Sequence, residues 1–277
     1  MSRSLHGKFV LNVCLTGMVG RKRHNPHLPM TVEEITRDAE ECIRLGASIV
    51  HVHARDDDEE PDWRPETYER IVRAIRAVSA DVLVCVSTSG RKVTDVERRA
   101  ACLDIDPRPD MASLTLGSLN FLREGVVNSP ETVRALAARM AERGILPELE
   151  IFDLGMARAA ARLVDEGVVR RPAYANILLG NVGTASTTPA DLAAILGHLP
   201  HDLVRSLAGI GGEQLRANLL GLLYCHGVRV GLEDNLFLDA AKTPATNRQL
   251  VERVVRLAAE LGLVPASGAE VRAALAL

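Results

Sequence analysis

Eight times along this chain a short apolar run rich in β-branched residues gives way to a longer stretch with amphipathic polarity, and no linker or low-complexity segment interrupts the series. The runs fall at 9–17, 48–53, 82–86, 111–116, 148–152, 175–179, 203–208 and 228–232. Strands that alternate with helices imply a parallel sheet, since each crossover must return the chain to the same end. Eight such units in 277 residues favour a closed barrel over an open doubly wound sheet. No G-x-G-x-x-G turn follows the first run, which weakens a dinucleotide-binding alternative. Helix signals agree with this frame. Thr31 to Glu34 reads as a capping box, 65–78 as a helix, 95–102 as a short charged helix, and Ser129-Pro130 as cap and first turn of another. The expected architecture is α/β, a single (β/α)8 TIM barrel over 1–277 with an additional C-terminal helix after Val264-Pro265.

Barrel active sites lie where the strands end, and here the ends are polar. The second run closes on His51-Val52-His53, two imidazoles that face the same side of a strand. The eighth closes on Glu233-Asp234-Asn235. In a closed barrel these two runs flank the first, so their ends can share a ligand. Two histidines and a carboxylate leave a coordination position open, as in catalytic zinc sites. Fe(II), Mn(II) and Co(II) suit the same donors, with zinc preferred. The competing reading is a hydrogen-bonded histidine pair at the rim.

Arg229 shares a face with Gly231 and Glu233, yet four residues of strand cover about 13 Å. A bend at Gly231 would shorten that gap. An arginine inside a barrel must be paired, and Asp234, Glu148 or Glu150 can do so. A structural ion pair and a catalytic role both remain open for it. Ser87-Thr88-Ser89-Gly90 offers hydroxyls and N–H groups for an oxyanion, with Thr88 and Ser89 read as ordinary caps. Ser113, Thr115 and Ser118 belong to the fourth run and its end. Gly209-Ile210-Gly211-Gly212 is either a phosphate loop or a tight turn. The cations of 18–26 either steer an anion or are solvated. His24 and His27 lack paired spacing, and His198, His201 and His226 are expected away from the rim.

Composition excludes several classes. A net charge of −3 and 3% aromatic residues supply neither the basic field nor the stacking array of a nucleic-acid binder. No apolar run is long enough for a membrane span, and the first residues lack a signal-peptide core. The 5 cysteines include no C-x-x-C pair, which argues against a disulfide frame and points to a reducing, cytoplasmic setting.

With these runs in view, the sequence resembles the β-keto acid cleavage enzymes. The matching motifs are Thr16-Gly17, Asn25-Pro26-His27-Leu28-Pro29, His51-Val52-His53-Ala54-Arg55-Asp56, Ser87-Thr88-Ser89-Gly90, 111–115, 147–153 and 228–235. The resemblance implies a zinc (β/α)8 barrel that condenses a β-keto acid with acetyl-CoA, giving acetoacetate and a new acyl-CoA. It implies that His51, His53 and Glu233 hold Zn2+, and that Ser87, Gly90 and Ser113 contact the keto acid, with Thr115 beside them in substrate binding. It implies that Arg229, oriented by Asp234, helps to form the enolate, and that Glu148 supports the site. It also implies a homo-oligomer, with a tetramer as the expected form. One departure stands out. Some members that take amino-substituted substrates carry carboxylates in the loop after the first run, where this chain has Met18-Val19-Gly20. A neutral, apolar or anionic substrate tail is therefore expected. The alternatives are a metal-dependent aldolase or lyase that needs no CoA, and a non-catalytic metal- or ligand-binding protein.

Overall fold

All eight runs form strands of one parallel barrel in the computed structural model, which describes residues 5–122 and 124–277. The barrel strands are β1 (Lys8–Cys14), β2 (Ile49–Val52), β3 (Leu83–Val86), β4 (Met111–Thr115), β5 (Leu146–Ile151), β6 (Tyr174–Leu179), β7 (Val204–Gly209) and β8 (Gly227–Val230). Each pairs with the next, and β8 returns to β1 with Val10 opposite Gly227 and Asn12 opposite Arg229. The helices between them are α1 (Val32–Arg44), α2 (Pro65–Val78), α3 (Val96–Ala100), α4 (Pro130–Glu142), α5 (Leu154–Asp165), α6 (Pro189–His198), α7 (Gln214–Tyr224) and α8 (Asn247–Glu260). A C-terminal helix, α9 (Gly268–Leu275), follows as expected.

Local signals set these boundaries. Thr31 and Glu34 form the anticipated capping box of α1, and Ser129 accepts the Thr132 N–H at the start of α4. The segment after β3 makes only five helical residues before tightening into a 3-10 turn over Ala101–Leu103. Several strand ends differ from the sequence reading, and two of them bear on the site. β2 stops at Val52, so His53 stands just beyond it, and β8 stops at Val230, so Glu233 and Asp234 lie on a turn.

Apolar side chains fill two regions. The larger lies between the barrel and its helices and includes Leu11, Val50, Val84, Leu114 and Leu207. The smaller plugs the N-terminal end of the barrel, where Val10, Ile49, Leu83 and Tyr174 meet Leu5, Val271 and Leu275. A short strand, β9 (Val264–Pro265), pairs with β1 and delivers α9 to that end. With the bottom closed by hydrocarbon, polar chemistry is confined to the upper half. There Asn12, Glu148 and Asn176 form a buried layer in which both amide nitrogens donate to Glu148 Oε1, at 2.7 and 3.2 Å. No helix among the described residues is long and apolar enough to cross a membrane.

Candidate active site

The opposite end of the barrel opens into a cavity of about 400 Å³ whose polar wall includes His53, Ser87, Thr115, Glu150, Arg229, Glu233 and Asp234. The register of β1, β2 and β8 brings the histidines to Glu233. His53 Nε2 lies 3.2 Å from Glu233 Oε1, and His51 Nε2 lies 3.6 Å from Glu233 Oε2. His51 Nε2 and Glu233 Oε2 are both buried and have no hydrogen-bond partner among the described residues. Buried polar atoms are rarely left unmade, and two that converge with a third donor fit a cation between them. The three donor atoms lie within 4.8 Å of one another.

Glu148 explains the orientation of His51. Its Oε2 stands 2.8 Å from His51 Nδ1. An Nδ1–H donated there leaves the Nε2 lone pair free for a metal, the usual carboxylate–histidine arrangement around zinc. Burial works to raise the Glu148 pKa, but His51 and Arg229 overcome it and hold the carboxyl down to about 2. Glu148 does not line the cavity, and it reaches the site through His51. Cys85 lies against the same oxygen at 3.2 Å, its thiol kept protonated by burial and by the Glu148 charge.

Arg229 is both paired and presented to the cavity. Asp234 takes Nε and Nη2 as a fork at 2.9 and 3.1 Å, Glu233 Oε1 is 2.8 Å from Nη2, and Glu150 Oε1 is 3.4 Å from Nη1. The anticipated bend makes this possible. Gly231 adopts φ +150°, and the Asp234 and Asn235 N–H groups both donate to its carbonyl, folding the acids back over the arginine. A Cβ at Gly231 would run into the Cys14 backbone carbonyl, so this turn requires glycine. Glu150 lies two residues above Glu148 on the same face of β5 and at the cavity wall. Burial pushes its carboxyl up to about 7, against the pull of Arg229, and Thr115 Oγ1 donates to it at 2.6 Å.

The remaining candidates fall into place around this centre. Ser87 lines the cavity, whereas Ser113 sits behind it and accepts the Thr88 N–H at 3.1 Å. Ser89 Oγ accepts the Arg91 N–H as a local cap, whereas Thr88, expected to be one too, instead donates its Oγ1 to the Ser113 carbonyl and ties the loop to β4. Gly90 is buried against Arg99. The Gly211 N–H is taken by the Asp234 carbonyl at 2.7 Å, which fits a tight turn better than a phosphate loop. In the loop after β1, Arg21 pairs with Glu60 and Lys22 with Glu34, while Met18 and Val19 face the cavity. His24 and His27 join no metal-type cluster among the described residues, and His226 precedes β8 at the far end of the barrel.

Sequence reasoning missed the part of the wall supplied by the hairpin after β4. Leu119, Phe121, Leu122 and Val126 line the cavity there, with Arg91 stacked 3.8 Å from the Phe121 ring and paired to Glu124. The available signal was an aromatic and apolar cluster ahead of Gly125, in a segment far longer than a β–α turn needs.

A closed (β/α)8 barrel with its polar groups gathered at the C-terminal ends of the strands defines a barrel enzyme. Residues 8–277 match the beta-keto acid cleavage enzymes, and the chain belongs to that family. It is 37% identical to a 3-keto-5-aminohexanoate cleavage enzyme of Fusobacterium nucleatum subsp. nucleatum over 98% of both chains. It is 35% identical to a 3-oxoadipate:acetyl-CoA acetyltransferase of Cupriavidus necator, over 97% of this chain and 94% of the relative. Among solved structures, a ternary complex of ObcA with a C4-CoA adduct and oxalate superposes with a TM-score of 0.75 at 21% identity. That match covers 91% of this chain and 68% of ObcA.

Proposed function

We propose that this enzyme exchanges acyl groups between a β-keto acid and acetyl-CoA, releasing acetoacetate and a new acyl-CoA. The observation that carries the reading is the pair of orphaned atoms, His51 Nε2 and Glu233 Oε2, beside a cavity that Glu233 lines together with the Arg229–Asp234 fork. His51, His53 and Glu233 would hold Zn2+, which when bound supplies Lewis-acid polarisation of the ketone. Acetyl-CoA enters this reading from the relatives named for it.

The chain's own residues account for the rest. The Ser87 hydroxyl, at the cavity wall, receives the substrate carboxylate. Glu150, with a pKa near 7 and its carboxyl at the wall, is suited to take the α-proton. Arg229, locked by Asp234, keeps a fixed positive charge beside the enolate that results, without reorganisation. The enolate carbon attacks the thioester carbonyl and expels CoA thiolate. The thiolate then adds to the original ketone, and cleavage of the carbon–carbon bond gives the new acyl-CoA and acetoacetate after one proton returns to carbon.

The substrate tail is read as uncharged and apolar. Met18, Val19, Leu119, Phe121, Leu178 and Val182 form the apolar part of the wall, and Val19, Leu122 and Val182 are exposed. Arg91 on that side already has Glu124 as its partner. The test is acetoacetate formation by zinc-loaded protein from a panel of β-keto acids, with and without acetyl-CoA. Product only with acetyl-CoA, and best with an aliphatic tail, supports the reading. Cleavage without acetyl-CoA replaces it by an aldolase or lyase reaction.

A further inference from the structure

Arg229 and Arg99 are among the largest fully buried side chains, and their surroundings are opposite. Arg229 lies among Glu148, Glu150, Glu233 and Asp234. Arg99, only 2% exposed, has no carboxylate within ion-pairing distance among the described residues. Its Nε donates to the Thr88 carbonyl at 2.9 Å and its Nη2 to Asn128 Oδ1 at 2.8 Å. Its Nη1 is buried and makes no hydrogen bond among the described residues.

Burying an unpaired guanidinium is costly, so proteins ordinarily pair it or leave it in water. Arginine cannot escape by losing its proton. Where this charge lies suggests why it is kept. Thr88 O and Gly90 belong to the Ser87–Gly90 loop, and a Cβ at Gly90 would lie 2.6 Å from Nη1 and 2.8 Å from Cζ. The guanidinium is thus packed directly behind the loop. Ser87, Ser89 and Arg91, on either side of that contact, form the cavity wall. Ser113 fixes the same loop from its other side through Thr88. Asn128, which holds Nη2, is itself tied to the Gly117 carbonyl and cannot swing away without losing that bond.

We propose that Arg99 is a positioning residue that completes an anion site. Its charge, with Glu150 the nearest acidic influence but no carboxylate in contact, stands behind the Ser87–Gly90 loop and holds the carboxylate of the keto acid on the cavity side of that loop. Gly90 is required because any side chain there would displace the guanidinium from the loop. The inference rests on the proposed function for the identity of the anion; the unpaired charge does not depend on it.

Three variants of the zinc-loaded enzyme test it. Arg99→Gln removes the charge and keeps a donor for Thr88 O. Arg99→Lys keeps the charge. Asn128→Asp leaves Arg99 in place and supplies the carboxylate it lacks, at the cost of the bond to the Gly117 carbonyl, with circular dichroism confirming the fold. The KM for the keto acid should rise about tenfold to a hundredfold in Arg99→Gln, the scale of a hydrogen bond to a charged group. It should rise similarly in Asn128→Asp and return toward wild type in Arg99→Lys. Zinc content and the KM for acetyl-CoA should stay within about twofold of wild type. An unchanged keto-acid KM in Asn128→Asp or in folded Arg99→Gln overturns the proposal. So does a lysine variant that loses as much as the glutamine variant. Wild-type protein that gives no acetoacetate from any β-keto acid refutes the proposed function and its anion; normal wild-type turnover with unmoved variants refutes only the role of Arg99.

Discussion

Glu148→Gln should weaken zinc binding by about tenfold to a hundredfold, or about 1.4–2.8 kcal/mol, although Glu148 touches neither the cavity nor the expected ion. The size follows from the partners. Glu148 Oε2 takes the His51 Nδ1–H, while Oε1 takes Nδ2 of both Asn12 and Asn176. A glutamine cannot accept from all of them. If its oxygen faces the asparagines, its NH2 faces His51 Nδ1. The imidazole must then carry its proton on Nε2, the atom a metal needs. If its oxygen faces His51, its NH2 confronts two amide donors, leaving buried groups unmade at about 1–3 kcal/mol. Either way the carboxylate charge that raises the basicity of His51 is gone. The assay is zinc affinity by chelator competition, with circular dichroism to confirm folding. A folded Glu148→Gln protein whose zinc affinity lies within twofold of wild type refutes the reasoning.

The other expectations concern the wall of the same cavity. Arg229→Lys should retain zinc but lose at least about a hundredfold in kcat, because one ammonium cannot reproduce the Asp234 fork and also reach Glu150; wild-type kcat would make the arginine purely structural. Val19→Glu should move preference toward keto acids with a cationic tail, read as a changed ratio of kcat/KM across the panel; an unchanged ratio means that this loop does not meet the tail. Glu150 gives a pH signature. Its folded pKa is raised to about 7, above the unfolded value near 4.5, so the folded state binds more protons between these values and stability falls as pH rises through that window. Glu150→Gln should flatten this fall, by on the order of 1–3 kcal/mol between pH 4.5 and 7.5 in denaturant titrations; an identical slope in the variant refutes the assignment.

The strands were legible because their apolar runs are short, β-branched and punctuated, and the two histidines because i and i+2 on a strand must share a face. Arg229 was harder. Its sequence distance from Glu233 and Asp234 argued against contact until Gly231 folded the turn back. Glu148 and Glu150 have the same parity on β5, so pattern alone assigns both to the barrel interior. Their different fates, one beneath His51 and one at the cavity, depend on height along the axis, which periodicity does not encode. Arg99 was hidden for a related reason. In Val96-Glu97-Arg98-Arg99-Ala100 the charges read as a solvated helix face, and so short a helix leaves no period to show that one arginine turns inward.

Closure of the barrel through β1 and β8 bears on how the chain would acquire the proposed metal. His51 and His53 leave the ribosome long before Glu233, and Cys14, whose thiol meets Asp234 at 3.1 Å, precedes its partner by 220 positions. Until β8 is made, one edge of β1 stays open and the imidazoles lack Glu233. On the proposed ligand set, a half-made chain lacks one of the three donors, and tight capture would wait for the final seam. Loading with the proposed zinc would thereby be tied to completion of the fold, and a chain without β8 should compete poorly for it with finished copies of the enzyme.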